Sequence, residues 1–369
     1  MQTFVRPSVG AHAKTLEGRW YVSPEVFEEE QRRIFARDWI CVGHESRLEQ
    51  PGDYFLVNLC GESLIIVRHG SGAINAFYNV CRHRGTQLCQ EPQGHLIGSI
   101  QCPYHAWTYA LDGALLAARN MQGIAGFDRA DYPLHRAPLR IVEGFLFLTL
   151  RDQPETLGGP LSVLHDKLLR WNTAELKEAR SIEYDVAANW KLIFQNYSEC
   201  YHCPVIHPQL DKLSPSDSGR NDFVRGPVLG GYSELRSSAS SLTTSGHSSR
   251  PPVGAVDGED VDRVYYYTVF PSMLLSFHLD YVMVHTVEPL APNRSLITCS
   301  WLFDPKAIEA PSFDPTDAVE FWDLTNRQDW HVNELTQRGL SSRAYRPGPY
   351  ANAEGLLHAF DLHYLSVMR

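Results

Sequence analysis

The chain has 369 residues, 43% hydrophobic and 21% charged, which is enough to bury one large core or two ordinary ones. Its 26 glycines and 23 prolines are scattered without a period, which excludes collagen-like, coiled-coil and mostly disordered classes. The 43 acidic residues outnumber the 33 basic ones, for a formal charge of −10, so nucleic acid is not an expected partner.

Targeting signals are not evident in the sequence. No run approaches the roughly 18 apolar residues of a membrane helix, and the start MQTFVRPSVG lacks the charge and apolar order of a signal peptide. We therefore expect a cytoplasmic protein without a membrane partner. Eight cysteines are too sparse for a disulfide scaffold, and in a reducing compartment metal binding or catalysis is their expected use.

The first half of the chain begins with a predicted helix over residues 22–37, with Ser23 as N-cap and Pro24 at its first position. Short β-branched and aromatic runs, separated by Gly and Pro turns, then predict an antiparallel all-β unit. Those runs are WICVG, DYFLVNL, SLIIVRH, AINAFYNV and LRIVEGFLFLTL.

The second half mixes helices and strands. Helical patterns occur in SVLHDKLLRW, in ANWKLIFQNYSECYHC and from about Pro315 to Gly339. Strands are predicted in series at 264–270, 273–279, 281–290 and 295–303. The Ser- and Gly-rich stretch 233–263 is too polar to pack, and we expect a mobile loop that could cover a site.

Turn residues near Pro154 and Pro160 mark a composition shift and a domain boundary. We therefore predict an α+β protein of three parts. Residues 1–38 form a helical segment that packs on the second domain, residues 39–155 form an all-β domain, and residues 156–369 form the helix- and strand-containing second domain.

Two cysteine–histidine pairs stand in the all-β half: Cys81 with His83, and Cys102 with His105. A zinc site usually opens with two closely spaced cysteines, whereas here each half carries one Cys and one His. That arrangement suits a Rieske 2Fe-2S centre, in which one iron takes both thiolates and the other both imidazoles. Loop histidines beside buried cysteines are the alternative; Cys89, between the pairs, is expected to be a packing residue.

A second candidate site lies in NYSECYHCPVIHPQL, where Glu199 and His202 would share a helical face and His207 follows. Two imidazoles and a distant carboxylate form the facial triad of non-haem Fe(II), which leaves positions open for O₂ and substrate. Two histidines in such a segment can equally be a buried structural pair. Cys200 and Cys203 imitate a redox CxxC, but a structural or supporting role is expected.

The third ligand should come from the last helix, which offers Asp323, Asp329 and Glu334. Asp323 lies beside Phe321 and Trp322 in an apolar stretch, so we predict it as the ligand, with Asp329 as the alternative.

Together, CxH at 81–83, CxxH at 102–105 and ExxHxxxxH at 199–207 resemble the catalytic subunit of Rieske non-haem iron oxygenases, the family of naphthalene dioxygenase. The resemblance implies a Rieske domain followed by a helix-grip catalytic domain with a curved antiparallel sheet. It also implies a homotrimer in which the cluster of one subunit serves the iron of its neighbour.

The same resemblance assigns roles to two further residues. Glu199 would bridge subunits between the neighbour's His105 and His202, and Asn196 would lie near the iron. Glu199 and the segment SECYHC make the chain similar to the branch that contains carnitine monooxygenase, choline monooxygenase and glycine betaine demethylase. The enzymes of that branch oxidise carbon beside a quaternary nitrogen. Strand aromatics could cage such a cation, although they suit a core or an aromatic substrate equally. They are Tyr265, Tyr266, Tyr267, Phe270, Phe277, Tyr281 and Trp301.

The leading hypothesis is an oxygenase that uses O₂ and electrons from NAD(P)H. No GxGxxG follows a strand, so NAD(P)H and flavin would bind a separate reductase, with or without a ferredoxin. An aromatic-ring dioxygenase is the alternative. Two weaker hypotheses are a non-catalytic iron-sulfur electron carrier and a binding protein stabilised by zinc. An electron carrier would not need the second half of the chain. The exact substrate, mono- or dioxygenation and a β subunit stay open.

Overall fold

The computed structural model describes residues 4–154 and 161–369, which form two compact units. Residues 35–154 form one, called the β unit below; residues 4–34 and 161–369 form the other, the helix–sheet unit. The boundary expected at 155/156 lies outside the described residues. At the N-terminus, the segment that belongs to the helix–sheet unit ends at Ile34, earlier than the expected residue 38. No helix in the described ranges is long and apolar enough to cross a bilayer.

Two short helices open the helix–sheet unit, α1 (Arg19–Val22) and α2 (Pro24–Glu30), and a π-helical turn over Gln31–Phe35 follows them. The predicted N-cap is confirmed, because the Ser23 hydroxyl accepts a hydrogen bond from the Val26 amide at 3.2 Å.

The β unit contains three antiparallel sheets, in the strand orders β1-β10-β9, β4-β3-β2-β5 and β6-β7-β8. Its ten strands are β1 (Ile40–His44), β2 (Asp53–Leu59), β3 (Glu62–Arg68), β4 (Ile74–Tyr78), β5 (Gln93–His95), β6 (Ser99–Gln101), β7 (Thr108–Ala110), β8 (Leu115–Ala117), β9 (Leu139–Val142) and β10 (Phe145–Leu148). The last predicted run is a hairpin whose turn residues Glu143 and Gly144 both have positive φ. A side chain at Gly144 would collide with the His44 ring, so this position requires glycine.

The helix–sheet unit is built on seven antiparallel strands in the order β11-β17-β16-β15-β14-β13-β12. The strands are β11 (Lys177–Val186), β12 (Arg220–Phe223), β13 (Val228–Glu234), β14 (Arg263–Val269), β15 (Met273–Phe277), β16 (Val282–Ala291) and β17 (Arg294–Phe303). The four predicted strands are its centre. The sequence did not indicate β11 or β12, which are polar edge strands, or β13, which contains two glycines.

Helices cover this sheet: α3 (His165–Arg170), α4 (Trp190–Tyr197), α5 (Cys203–Ile206), α6 (Pro208–Leu213), α7 (Pro305–Ile308), α8 (Thr316–Leu340) and α9 (Gly355–Met368). The long helix α8 packs on α4 and β11. All five residues of β15 are buried, because the middle of the sheet is covered on both faces. The predicted α+β class, with an all-β part before a sheet that holds a long helix, is confirmed.

The stretch 233–263 does not match the expected polar, unpacked loop. Ser241, Leu242, Thr243 and Val253 are buried. The carboxylate of buried Asp280 accepts hydrogen bonds from the hydroxyls of Ser241 and Ser248, both at 2.6 Å. Polar residues pack here because a buried acceptor replaces water, a partner that composition alone cannot indicate.

A buried ion pair joins α2 to α4. Glu30 and Lys191 are both fully buried and bonded to each other, and Glu30 also accepts from the Trp190 indole at 2.9 Å and the Tyr364 hydroxyl at 2.6 Å. Burial lowers the pKa of Lys191, although the neighbouring Glu30 opposes this.

We expect Glu30→Gln to lower the free energy of unfolding by about 3–5 kcal/mol, since it leaves the Lys191 ammonium buried without the carboxylate bonded to it. The control is Glu29→Gln, which breaks exposed pairs with Arg32 and Arg33 and should cost less than about 1 kcal/mol. Urea unfolding monitored by tryptophan fluorescence measures both. Equal losses in the two variants would contradict this account.

Candidate metal centres and active site

The two Cys–His pairs lie on two loops of the same design in the β unit. The Cys81 amide donates to the carbonyl of Thr86, and the Cys102 amide donates to the carbonyl of Trp107, both at 2.8 Å. Each loop has one residue with positive φ, Gly85 in the first and Ala106 in the second. Two loops of equal length therefore present one cysteine and one histidine each, as the sequence predicted.

The four side chains form an inner sulfur side and an outer nitrogen side. Cys81 and Cys102 are buried, whereas His83 is exposed. The His83 and His105 rings lie 4.8 Å apart, and Trp107 stacks on His83. The buried Nδ1 of His105 has no hydrogen-bond partner among the described residues, which fits a nitrogen reserved for a metal. These residues fit a Rieske cluster, with both thiolates on one iron and both imidazoles on the other.

The pKa shifts of Cys81 and His83 agree with the assignment of these residues to a Rieske cluster. Burial raises the pKa of the Cys81 thiol, so a bound cation is needed to favour the thiolate. Partial desolvation and the neighbouring His105 and Arg84 lower the pKa of His83, which favours the neutral imidazole that binds metals.

We expect the dithionite-reduced protein to show the rhombic EPR signal of a cluster with mixed nitrogen and sulfur ligands, and Cys81→Ser to lose it. Cys89→Ser is the matched control, because Cys89 is a buried core residue of the same unit and should keep the signal. Anaerobically purified protein that contains zinc and no acid-labile sulfide would refute the cluster.

A second set of metal-ligand atoms lies in the helix–sheet unit. Donor atoms of His202, His207 and Asp329 lie within 4.8 Å of one another. The Oδ1 atom of Asp329 is 2.8 Å from Nε2 of His207 and 3.3 Å from Nε2 of His202. One carboxylate and two imidazoles converging on one point fit the facial triad of non-haem Fe(II).

The prediction of Asp323 as the carboxylate is wrong on this geometry. Asp323 accepts a hydrogen bond from the Tyr184 hydroxyl at 2.7 Å and pairs with Arg327 at 2.9 Å. Asp329, the alternative, takes its place beside the histidines. The acids are six residues apart, about 240° around the helix, so only one of them can face the histidines. Glu334, the third candidate, instead accepts a hydrogen bond from the Ala187 amide at 3.2 Å.

Glu199 contacts His202, but not from the helical face that the sequence suggested. Helix α4 ends at Tyr197, and Glu199 to His202 form a turn before α5. Oε1 of Glu199 accepts from Nδ1 of His202 at 2.6 Å, which leaves Nε2 directed at Asp329. Burial lowers the pKa of His202, but hydrogen bonds to Asp329 and Glu199 outweigh burial and raise it to about 10.

Cys200 and Cys203 are joined by a disulfide bond across this turn. His202 lies between the two cysteines, which are three residues apart in the sequence. The disulfide therefore constrains the segment that carries a metal ligand. This agrees with the supporting role that the sequence suggested.

Residues 173–369 match the family described as ring hydroxylating alpha subunit (catalytic domain), and residues 38–128 match the Rieske [2Fe-2S] domain. The chain belongs to the Rieske oxygenases. It is 32% identical to the glycine betaine monooxygenase oxygenase subunit of Chromohalobacter salexigens, over 94% of this chain and 83% of the relative. It is 41% identical to the carnitine monooxygenase oxygenase subunit of Acinetobacter baumannii, over 89% and 85%.

Solved structures agree with this family. The quaternary ammonium Rieske monooxygenase CntA in complex with L-carnitine superposes with a TM-score of 0.79 at 27% identity, over 96% of both chains. Naphthalene 1,2-dioxygenase from Rhodococcus sp. shares the fold, with a TM-score of 0.78 at 20% identity, over 96% of this chain and 94% of that one.

The active-site cavity of this Rieske oxygenase has a volume of about 720 Å³, and His202, His207 and Asp329 line it. Asn196 also lines it, together with the aromatic residues Tyr197, Tyr201, Tyr232, Tyr266 and Trp322. Of the strand aromatics proposed from sequence, Tyr266 lines the cavity, whereas Tyr265 and Tyr267 point to the opposite face of β14 and pack against Phe277 and Trp171.

One residue near the histidines had no signal in the sequence. Oε1 of Gln328 lies 2.8 Å from Nδ1 of His207. In the polar stretch TNRQD, a glutamine has the pattern of a solvated helix residue, and only its contact reveals a role.

Proposed function

We propose that the chain is the oxygenase component of a two-protein system that oxidises a carbon beside the nitrogen of a quaternary ammonium compound such as a betaine. The observation that carries this proposal is an aromatic wall, formed by Tyr197, Tyr266 and Trp322, in the cavity that holds the metal-ligating residues. The relatives named for glycine betaine and carnitine support it.

The wall suits a cation that has no proton to lose and therefore stays charged. The Tyr197 and Tyr266 rings lie 6.1 Å apart edge to face, and the Tyr266 and Trp322 rings lie 6.2 Å apart in the same manner. Rings inclined by 77° and 67° to one another offer a methylated ammonium group more than one π face, and tryptophan is the best cation–π partner among the aromatic residues. The long helix also places Thr325 and Trp322 one and two turns before Asp329, so one cavity wall runs from the ligand to the cage.

When bound, the cluster would supply electrons singly and the iron would activate O₂. The protein's own residues would hold these groups and place the substrate. Cys81, Cys102, His83 and His105 would bind the cluster, and His202, His207 and Asp329 the iron. Overall, a C–H bond, O₂, two electrons and two protons give C–OH and water. A hydroxylated N-methyl group then breaks its C–N bond, as the hydroxyl proton passes to nitrogen, to give formaldehyde and a protonated amine.

Electrons would come from a separate NAD(P)H-dependent flavin reductase, directly or through a ferredoxin. Support for delivery from outside comes from the cluster loops, where His83 is exposed and both cysteines are buried. Assembly as a homotrimer and a cytoplasmic location are parts of the same proposal. In the trimer, Glu199 would connect the iron ligand His202 to the neighbour's cluster, because its carboxylate keeps an acceptor position beyond the bonds to Nδ1 of His202 and to the backbone amides of Tyr201 and His202.

The test is product analysis with a surrogate reductase on glycine betaine, carnitine, γ-butyrobetaine, choline and aromatic acids. Oxidation of a quaternary compound, with one product formed per O₂ consumed, is the expected outcome. Turnover of an aromatic acid to a cis-diol, with no quaternary compound oxidised, would instead support the ring dioxygenase.

A substitution in the aromatic wall tests whether the cavity recognises the cation. Tyr266→Leu should raise KM for the quaternary substrate by roughly 30-fold, since a desolvated cation–π contact contributes about 2 kcal/mol. Tyr266→Phe keeps the ring and should stay near the native KM. The uncharged carbon isostere of the substrate should bind the native protein weakly. If Leu and Phe at this position behave alike, the wall does not recognise the cation.

A further inference from the structure

His207 is held at both ring nitrogens by neighbouring residues of one helix. Its Nε2 lies 2.8 Å from Oδ1 of Asp329, and its Nδ1 lies 2.8 Å from Oε1 of Gln328. The ring is 2% exposed, so these contacts rather than solvent set its orientation. An amide oxygen carries no proton, so a neutral ring that keeps this contact has its one proton on Nδ1 and presents the Nε2 lone pair to a metal.

The two histidines of the site have acceptors of different charge. His202 donates from Nδ1 to the carboxylate of Glu199 at 2.6 Å, whereas His207 faces the neutral amide of Gln328. Both acceptors select the same tautomer. The amide does so without placing a third negative charge beside Asp329 and Glu199 in a largely buried site.

We propose that Gln328 is a positioning residue of the mononuclear site, which selects the Nδ1–H tautomer of His207 and fixes its ring for metal binding. The inference rests on the proposed iron site at His202, His207 and Asp329 and adds a residue to it. It is independent of the substrate class.

The experiment measures the dissociation constant for Fe(II) by chelator competition, in anaerobic protein that keeps its cluster but lacks mononuclear iron. Gln328→Leu removes the acceptor and should weaken Fe(II) binding about 10–100-fold, the usual effect of losing such a bond to a ligand histidine. Gln328→Glu can only accept at this position, so it should restore affinity to within a few-fold of the native protein.

The matched control is His331→Gln, which changes an exposed residue on the same helix and should leave Fe(II) affinity unchanged. The cluster absorption spectrum and Tm report folding in every variant. Native affinity in Gln328→Leu, or a Gln328→Glu variant as weak as Gln328→Leu, would overturn the positioning role. Native protein that binds no Fe(II) would overturn the iron site itself, so the two failures are distinguishable.

Discussion

Asp329→Ala should empty the mononuclear iron site and abolish turnover while leaving the cluster spectrum intact. Asp329 is the carboxylate whose oxygen lies within 3.3 Å of the free nitrogens of both histidines. Removing a direct ligand should reduce Fe(II) affinity by more than the roughly 100-fold that loss of an outer hydrogen bond costs. Metal analysis measures the change in iron content. The iron that belongs to the cluster is calculated from the acid-labile sulfide and subtracted from the total.

Asp323→Ala is the matched control, because it removes the same group from the same helix. Asp323 bonds Tyr184 and Arg327 rather than the histidines, so this variant should keep its mononuclear iron and most of its activity. Loss of iron from Asp323→Ala together with retention in Asp329→Ala would show that the histidines recruit the other acid when metal binds.

Glu199→Gln should leave both metal sites filled and the cluster reducible, yet slow electron transfer to the mononuclear site by orders of magnitude. The three iron ligands are unchanged, and the glutamine oxygen can still accept either from Nδ1 of His202, as Oε1 does, or from the backbone amides of Tyr201 and His202, as Oε2 does. The second oxygen becomes an NH₂ group, which cannot accept from another imidazole, so a bridge between two histidines would be broken. Stopped-flow absorbance of cluster oxidation in a single turnover with substrate and O₂ measures the rate.

Glu334→Gln is the control for this experiment, since it makes the same chemical change at a residue that bonds the Ala187 amide rather than an iron ligand. It should transfer electrons at the native rate. Unchanged transfer in Glu199→Gln would refute the bridging role, and loss of mononuclear iron from it would place Glu199 among the metal ligands.

Much of the chemistry could be predicted because it is local in the chain. A cluster loop spans six residues, so the Cys–His pairs and their order are visible in sequence, as are His202 and His207 in one short segment. The central strands and the Ser23 cap were predicted for the same reason, since alternation and capping depend on near neighbours. These features identify the family without a structure.

The third ligand was decided by tertiary structure. Phe321, Trp322 and Trp330 are all buried, so apolar neighbours surround α8 on more than one face and do not reveal which acid points to the histidines. The docking of α8 against the segment after α4 selects Asp329 and Gln328 together. Helix α4 ends at Tyr197, which puts Glu199 in a turn.

The sequence by itself determined the residues of both candidate metal sites to within one acid, because residue type and local spacing are properties of the chain. Tertiary structure decided which acid faces the histidines, which amide orients His207, and why the polar stretch 233–263 packs around Asp280. Each of these depends on a partner distant in sequence, and a hydrogen bond or a metal-ligand geometry is defined only when both partners have been placed.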